Sequence, residues 1–230
     1  MEIIYHTADI NKDITSLETV LNSGISTVEL DFVMTRDGIP IWAHNMFPTS
    51  LLNSKNIKND QLTLYDILDI NNHRCKLMLD FKIIPKNILN SSNFTKLLDL
   101  LNKYDELQIH SLDLSFLKKL KEGNYSNIEI GFIINVLTKW HIDNIKKLQN
   151  LDFMSISSEL WEEKNGAFIE KSKELYANIK KYAWTWATRI EDEYRIDNFI
   201  NKKADGIITG VPAYVKTLTN RGLHQKEKNN

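Results

Sequence analysis

The sequence predicts a single (β/α)8 TIM barrel with a small hairpin inserted after its second strand. Three observations carry this. Short β-like runs alternate with helically patterned segments along the whole chain, which calls for a parallel sheet with crossover helices. Eight such beats fit into 230 residues, the size of one closed α/β barrel. Charged residues and histidines collect at the ends of several apolar runs, where a barrel places its chemistry. A doubly wound open sheet is the main rival, because alternation alone does not close a sheet.

The first run, near residues 2–7, reads Glu2-Ile3-Ile4-Tyr5-His6. The second, near 27–33, contains Thr27-Val28-Glu29-Leu30-Asp31-Phe32, and the third, near 76–83, contains Lys76-Leu77-Met78-Leu79-Asp80-Phe81-Lys82. Five more follow near 107–111, 128–134, 153–157, 181–187 and 206–210. Between them, segments such as Phe94-Thr95-Lys96-Leu97-Leu98-Asp99-Leu100-Leu101 and Phe116-Leu117-Lys118-Lys119-Leu120 space apolar residues as a helix face does. The barrel is expected over 1–223, with 224–230 a polar tail and the Ser-, Asn- and Lys-rich stretch 48–59 a loop over one end.

The segment from Phe32 to His44 departs from this rhythm. It reads as two extended arms around Asp37-Gly38, a strong two-residue hairpin signal. With those two residues as the loop, opposed positions sum to 75 and His44 falls directly across from Asp31, at roughly 4.5–5.5 Å between Cβ atoms.

Composition narrows the function classes. With 42% hydrophobic and 26% charged residues the chain can bury a sizeable core, and a net charge of -1 gives no broad field for nucleic acid or an anionic membrane. Cys75 is the single cysteine, which excludes an intramolecular disulfide and fits a reducing compartment. The chain starts directly with a strand-like run and no apolar stretch approaches the ~20 residues needed to span a bilayer. The expectation is a cytoplasmic monomer or weak homo-oligomer with no membrane anchor, acting on a small molecule.

Alternate residues of a strand share a face, so Glu29 and Asp31 point together, as do Asp80 and Lys82. Carboxylates on such apolar segments need positive compensation. Glu29, Asp31 and Asp80 make a plausible oxygen set for one divalent cation, Mg²⁺ or Ca²⁺; the plain alternative is ion pairing, Asp80 with Lys82 for example. His6 and His44 are candidates for an acid–base pair, since imidazole exchanges a proton near neutral pH. Lys82 would neutralise a phosphate oxygen. Trp184 and Trp186 share a face, and Trp186 at the mouth is a candidate to stack on substrate, although core filling explains such rings as well. His73, His110, His141 and His224 show no grouping, although His110, just before Ser111 at the end of the fourth run, is an extra candidate to look into the pocket. Cysteine–histidine metal spacings, a glycine-rich phosphate loop and a nucleophile elbow are absent.

Taken together, these motifs resemble the glycerophosphodiester phosphodiesterase family, within the barrel superfamily that includes phosphatidylinositol-specific phospholipase C and sphingomyelinase D. The family's Glu-x-Asp, Thr-x-Asp-Gly and His follow as Glu29-Leu30-Asp31, Thr35-Arg36-Asp37-Gly38 and His44. Its acid-x-Lys is Asp80-Phe81-Lys82, its Trp-Thr signature is Trp184-Thr185-Trp186, and its closing segment is Asp205-Gly206-Ile207-Ile208-Thr209-Gly210-Val211-Pro212. The resemblance implies metal-dependent phosphodiester cleavage with His6 and His44 catalytic and the three carboxylates on the cation. It also implies that a neighbouring substrate hydroxyl can serve as the nucleophile, giving a cyclic phosphate. Two departures stand out. The family's opening His-Arg-Gly is His6-Thr7-Ala8 here, and Asp80 stands where Glu is usual. Lys82, Arg189 or Lys86 are the candidates to replace the missing arginine. A catalytically silent barrel that binds a phosphodiester or polyol phosphate in a regulatory role is the alternative.

Overall fold

The computed structural model describes residues 1–7, 10–44, 53–57, 60–82, 84–123, 125–135, 151–162, 169–170, 172–173, 176–185 and 193–210. Its strands are β1 (Glu2–His6), β2 (Thr27–Met34), β3 (Pro40–Trp42), β4 (Lys76–Phe81), β5 (Leu107–Ser111), β6 (Ile128–Ile134), β7 (Phe153–Ser157), β8 (Lys180–Thr185) and β9 (Gly206–Thr209). All but β3 pair in parallel, and β1 bonds to both β2 and β9, so eight strands close into a barrel. The open-sheet alternative is thereby excluded. The eight expected runs coincide with these strands to within two residues wherever the chain is described; the expected tail and positions 186–187 lie outside the described residues.

The described helices α1 (Ile14–Leu21), α2 (Leu64–Asn71), α3 (Ser92–Leu101), α4 (Leu114–Glu122), α5 (Ser158–Glu162) and α6 (Glu193–Asn201) lie between strands. Local chemistry starts them where the sequence permits: Asp13 accepts from the Ser16 amide at 2.8 Å, Thr63 and Asp66 form a capping box, and Asp113 caps α4. None of the described helices is long and apolar enough to cross a membrane.

Strand alternation sorts the core into two bodies. Outward residues such as Val28, Leu30, Phe32, Leu77, Leu79 and Phe81 pack under the helices, whereas Ile4, Met78, Phe153, Tyr182 and Ile208 fill the barrel interior. Gly131 makes room for that filling, because a Cβ there would lie 2.2 Å from the Phe153 ring. Below this layer the interior turns polar. Gln108 donates to Glu129 at 2.7 Å, and the Tyr182 hydroxyl donates to Glu2 at 2.8 Å, closing the barrel's N-terminal end with a hydrogen-bonded layer. Above it, the inward positions carry the charged cluster.

The hairpin forms, with a different register. Phe32 pairs with Trp42, Val33 with Ile41 and Met34 with Pro40, so opposed positions sum to 74. The loop has three residues, Arg36, Asp37 and Gly38, closed by the Thr35 amide donating to the Ile39 carbonyl at 2.9 Å. Gly38, at φ +86°, supplies the left-handed bulge position of such loops and adds the extra residue. Ala43, not His44, therefore bonds across to Asp31, its amide reaching the Asp31 carbonyl at 3.0 Å. Had the strand continued, alternation would have sent His44 outward with Trp42. The strand ends at Trp42 instead, and His44 turns into the barrel mouth from the segment beyond.

Candidate active site

The C-terminal mouth holds a cavity of about 170 Å³. Its polar lining includes His6, Glu29, His44, Asp80, Lys82, His110, Asn135 and Thr185, and its apolar wall Phe81, Leu112, Ile133, Trp184 and Ile208. β2 is the reason these groups meet. Its first half pairs with β1, which sets His6 beside Glu29, and its second half pairs on the same side with β3, which delivers His44 above β1. On its other side Asp31 lies in register with Asp80 of β4, and Asp80 with His110 of β5.

The contacts are those of one charged cluster. His6 Nε2 lies 3.4 Å from Glu29 and 3.9 Å from Asp31. Lys82 reaches over both aspartates, 2.6 Å from Asp31 Oδ1 and in direct contact with Asp80 Oδ2. Burial raises the Asp31 carboxyl, but Lys82, His6 and His44 more than reverse it and hold the group below its ordinary value. Burial likewise weakens the Lys82 ammonium, yet Asp80, Asp31 and Glu29 outweigh this and keep it well above its ordinary value.

One lysine does not satisfy three buried acids. Glu29, Asp31 and Asp80 are 1%, 1% and 8% exposed. Glu29 Oε2, Asp31 Oδ2 and Asp80 Oδ1 each lack a hydrogen-bond partner among the described residues. An orphaned buried carboxylate oxygen is costly, and here each of the three acids carries one. Three carboxylates against one ammonium also leave two negative charges, which one divalent ion would cancel. The donor set therefore fits a cation. Ligand atoms from His6, Glu29 and Asp31 lie within 4.8 Å of one another, as do those from Glu29, Asp80 and His110.

Six of the seven residues singled out from the sequence thus meet in one cluster: His6, Glu29, Asp31, His44, Asp80 and Lys82. Trp186 lies outside the described residues, and Trp184 supplies the indole at the cavity wall. Thr7 is fully buried, its hydroxyl donating to the Glu29 backbone carbonyl at 2.9 Å. It ties β1 to β2 and offers no positive grip. Of the candidate replacements for the expected arginine, Lys82 lines the cavity, Lys86 is exposed and not part of its lining, and Arg189 is outside the described residues. His110, only an extra candidate from the sequence, lines the cavity, and its partner Ser155, bonded at 2.7 Å, was not singled out. Their signal was present for His110: Gln108 and His110 are polar at alternate positions of an apolar strand, the pattern that marks Glu29 and Asp31.

No family model matches the sequence, and no curated protein does. Solved structures do. A glycerophosphodiester phosphodiesterase from Parabacteroides distasonis superposes with a TM-score of 0.76 at 14% identity, covering 96% of this chain and 98% of that one. The fold is that of the glycerophosphodiester phosphodiesterases. A phosphodiesterase from Oleispira antarctica, in complex with the product sn-glycerol-3-phosphate, gives 0.73 at 15% identity over 96% and 97% of the two chains. At lower similarity a Ca²⁺-dependent phosphatidylinositol-specific phospholipase C from Streptomyces antibioticus gives 0.58 at 9% identity, covering 94% of each chain. A tryptophan synthase complex from Pyrococcus furiosus gives 0.57 at 17% identity, over 96% and 90%. Likeness at that level speaks for the barrel, and the chemistry must be argued from the site.

Proposed function

We propose that this protein is a metal-dependent phosphoric diester hydrolase acting on a glycerophosphodiester or a related small polyol- or lipid-derived phosphodiester. The observation that carries the proposal is the convergence of His6, His44, Lys82 and three carboxylates with orphaned oxygens on one cavity at the barrel mouth. The cavity's two halves suit such a substrate: a charged floor for the phosphate, and an apolar wall of Trp184, Ile133 and Leu112 for carbon.

Glu29, Asp31 and Asp80 would hold a divalent cation, which, when bound, offsets charge growing on the phosphoryl oxygens. The chain's own residues do the rest. One of His6 and His44 takes the proton of a substrate hydroxyl as its oxygen attacks phosphorus. The other gives a proton to the departing alkoxide as the P–O bond breaks, leaving a cyclic phosphate and a free alcohol; with the two roles exchanged, water then adds to phosphorus and opens the ring to the monoester. Lys82, held between the aspartates and fully protonated, presents its charge toward a non-bridging oxygen. An internal nucleophile also avoids the entropy of capturing water.

The commitment of Thr7 to backbone pairing favours one competing reading, a silent barrel that binds but does not cleave. The test is a panel of glycerophosphodiesters incubated with Mg²⁺, Ca²⁺, Mn²⁺ or EDTA, followed by phosphorus NMR. Metal-dependent cleavage abolished in His44→Ala supports the hydrolase. Saturable binding without cleavage under every metal overturns it.

A further inference from the structure

We infer that His110 is a nitrogen ligand of the cation, making this a mixed nitrogen–oxygen site that prefers Mn²⁺ or Zn²⁺ to Mg²⁺ or Ca²⁺. This rests on the proposed cation at Glu29, Asp31 and Asp80. His110 is only 4% exposed, and its Nε2 has no hydrogen-bond partner among the described residues. That nitrogen faces Glu29 Oε1 at 3.7 Å, too long for a hydrogen bond but short enough for both atoms to face one ion. Glu29, Asp80 and His110 form one of the two compact ligand groups at the mouth.

The far side of the ring is already fixed. His110 Nδ1 lies 2.7 Å from the Ser155 hydroxyl, two strands away on β7. The register partner of His110 on the intervening β6 is Gly131, which contributes no side chain of its own. A metal-binding imidazole characteristically hands its second nitrogen to such a partner, which fixes tautomer and aim. Here Nδ1–H would donate to Ser155 Oγ, leaving the Nε2 lone pair directed at the acids. Oxygen-only sets suit Mg²⁺ and Ca²⁺, whereas an imidazole shifts preference toward the later divalent ions.

The test uses the full chain and Mn²⁺. Binding is read from loss of the free-ion electron paramagnetic resonance signal, and nitrogen coordination from ¹⁴N modulation of the bound-ion spin echo. Wild type should show directly bound nitrogen. His110→Gln should lose it and bind Mn²⁺ at least about tenfold more weakly, Ser155→Ala should weaken binding by about tenfold, and neither should change Ca²⁺ affinity appreciably. His6→Gln, which removes the other nearby imidazole, should keep the nitrogen signal. Bound Mn²⁺ without nitrogen modulation in the wild-type chain, or modulation that survives in His110→Gln and vanishes in His6→Gln, overturns the assignment while leaving the cation in place. Failure of wild type to bind Mn²⁺, Mg²⁺ or Ca²⁺ at millimolar concentration overturns the cation itself.

Discussion

Lys82→Met tests whether the lysine is a structural counter-ion for the metal-free acid cluster. Lys82 Nζ lies 2.6 Å from Asp31 Oδ1 and touches Asp80, with its side chain 21% exposed and that of Asp31 1% exposed. Removing it strands three carboxylates with no ammonium among them. Breaking a buried pair by deleting one partner costs about 3–5 kcal/mol, and the partial exposure of Lys82 places this case near the lower figure, about 3. For a domain of this size each kcal/mol moves Tm by about 2–4 °C, so the variant should melt roughly 6–12 °C below wild type in chelator. Two further features identify the cause. Adding a divalent ion at a hundred times its Kd should return about 2.7 kcal/mol to whichever form binds it. Lowering the pH from about 7 to about 4 should narrow the gap, because without Lys82 the buried Asp31 carboxyl rises and protonation relieves it. Thermal denaturation with and without EDTA is the assay. A melting point within about 2 °C of wild type in chelator, at neutral pH, would refute the counter-ion argument.

Three other outcomes follow from the same geometry. His6→Ala and His44→Ala should each slow diester cleavage by about 10²–10⁴-fold while leaving the circular-dichroism melt nearly unchanged, with steady-state kinetics as the check. Gly131→Ala should destabilise the barrel by about 1–3 kcal/mol in urea, since the new methyl meets the Phe153 ring at 2.2 Å; a neutral effect would mean the ring can move aside. Metal-free wild type should lose stability in acid. Asp31 sits below its ordinary value when folded, so its contribution is complete above the unfolded value of about 3.9 and disappears as pH falls through the folded value. Urea titrations below about pH 4 should show this slope, and Asp31→Asn should flatten it.

The strands were legible because a closed barrel buries them on both faces, so each appears as an apolar run bounded by polar chain. The acids were legible for the related reason that Glu29, Asp31 and Asp80 interrupt such apolar runs, where a charge needs compensation and Lys82 is the one cation close in sequence. His44 was assigned to the site through a register that proved one residue off. The bulge at Gly38 moved it out of line with Asp31, and the early end of β3 at Trp42 brought it back. His110 was harder to read. Alone it is one histidine on one strand; its meaning comes from Asp80 beside it on β4 and Ser155 two strands away, and single-strand patterns carry no such neighbours. Thr7 shows the opposite limit, since its departure from the family pattern was plain but its work, a hydroxyl bond to the Glu29 backbone, was not.

Apolar runs punctuated by polar segments, with side chains alternating between strand faces, determined eight strands and the sharing of one side by Glu29 and Asp31 and by Asp80 and Lys82, because those properties are written residue by residue along the chain. Closure of the sheet, the alignment of Asp31 with Asp80 and of Asp80 with His110, the inward turn of His44 and the orphaned oxygens around one small cavity were decided only in three dimensions. The physical reason is that a charge's surroundings are set by strands distant in sequence, so the number of acids is countable from the chain while their satisfaction is not.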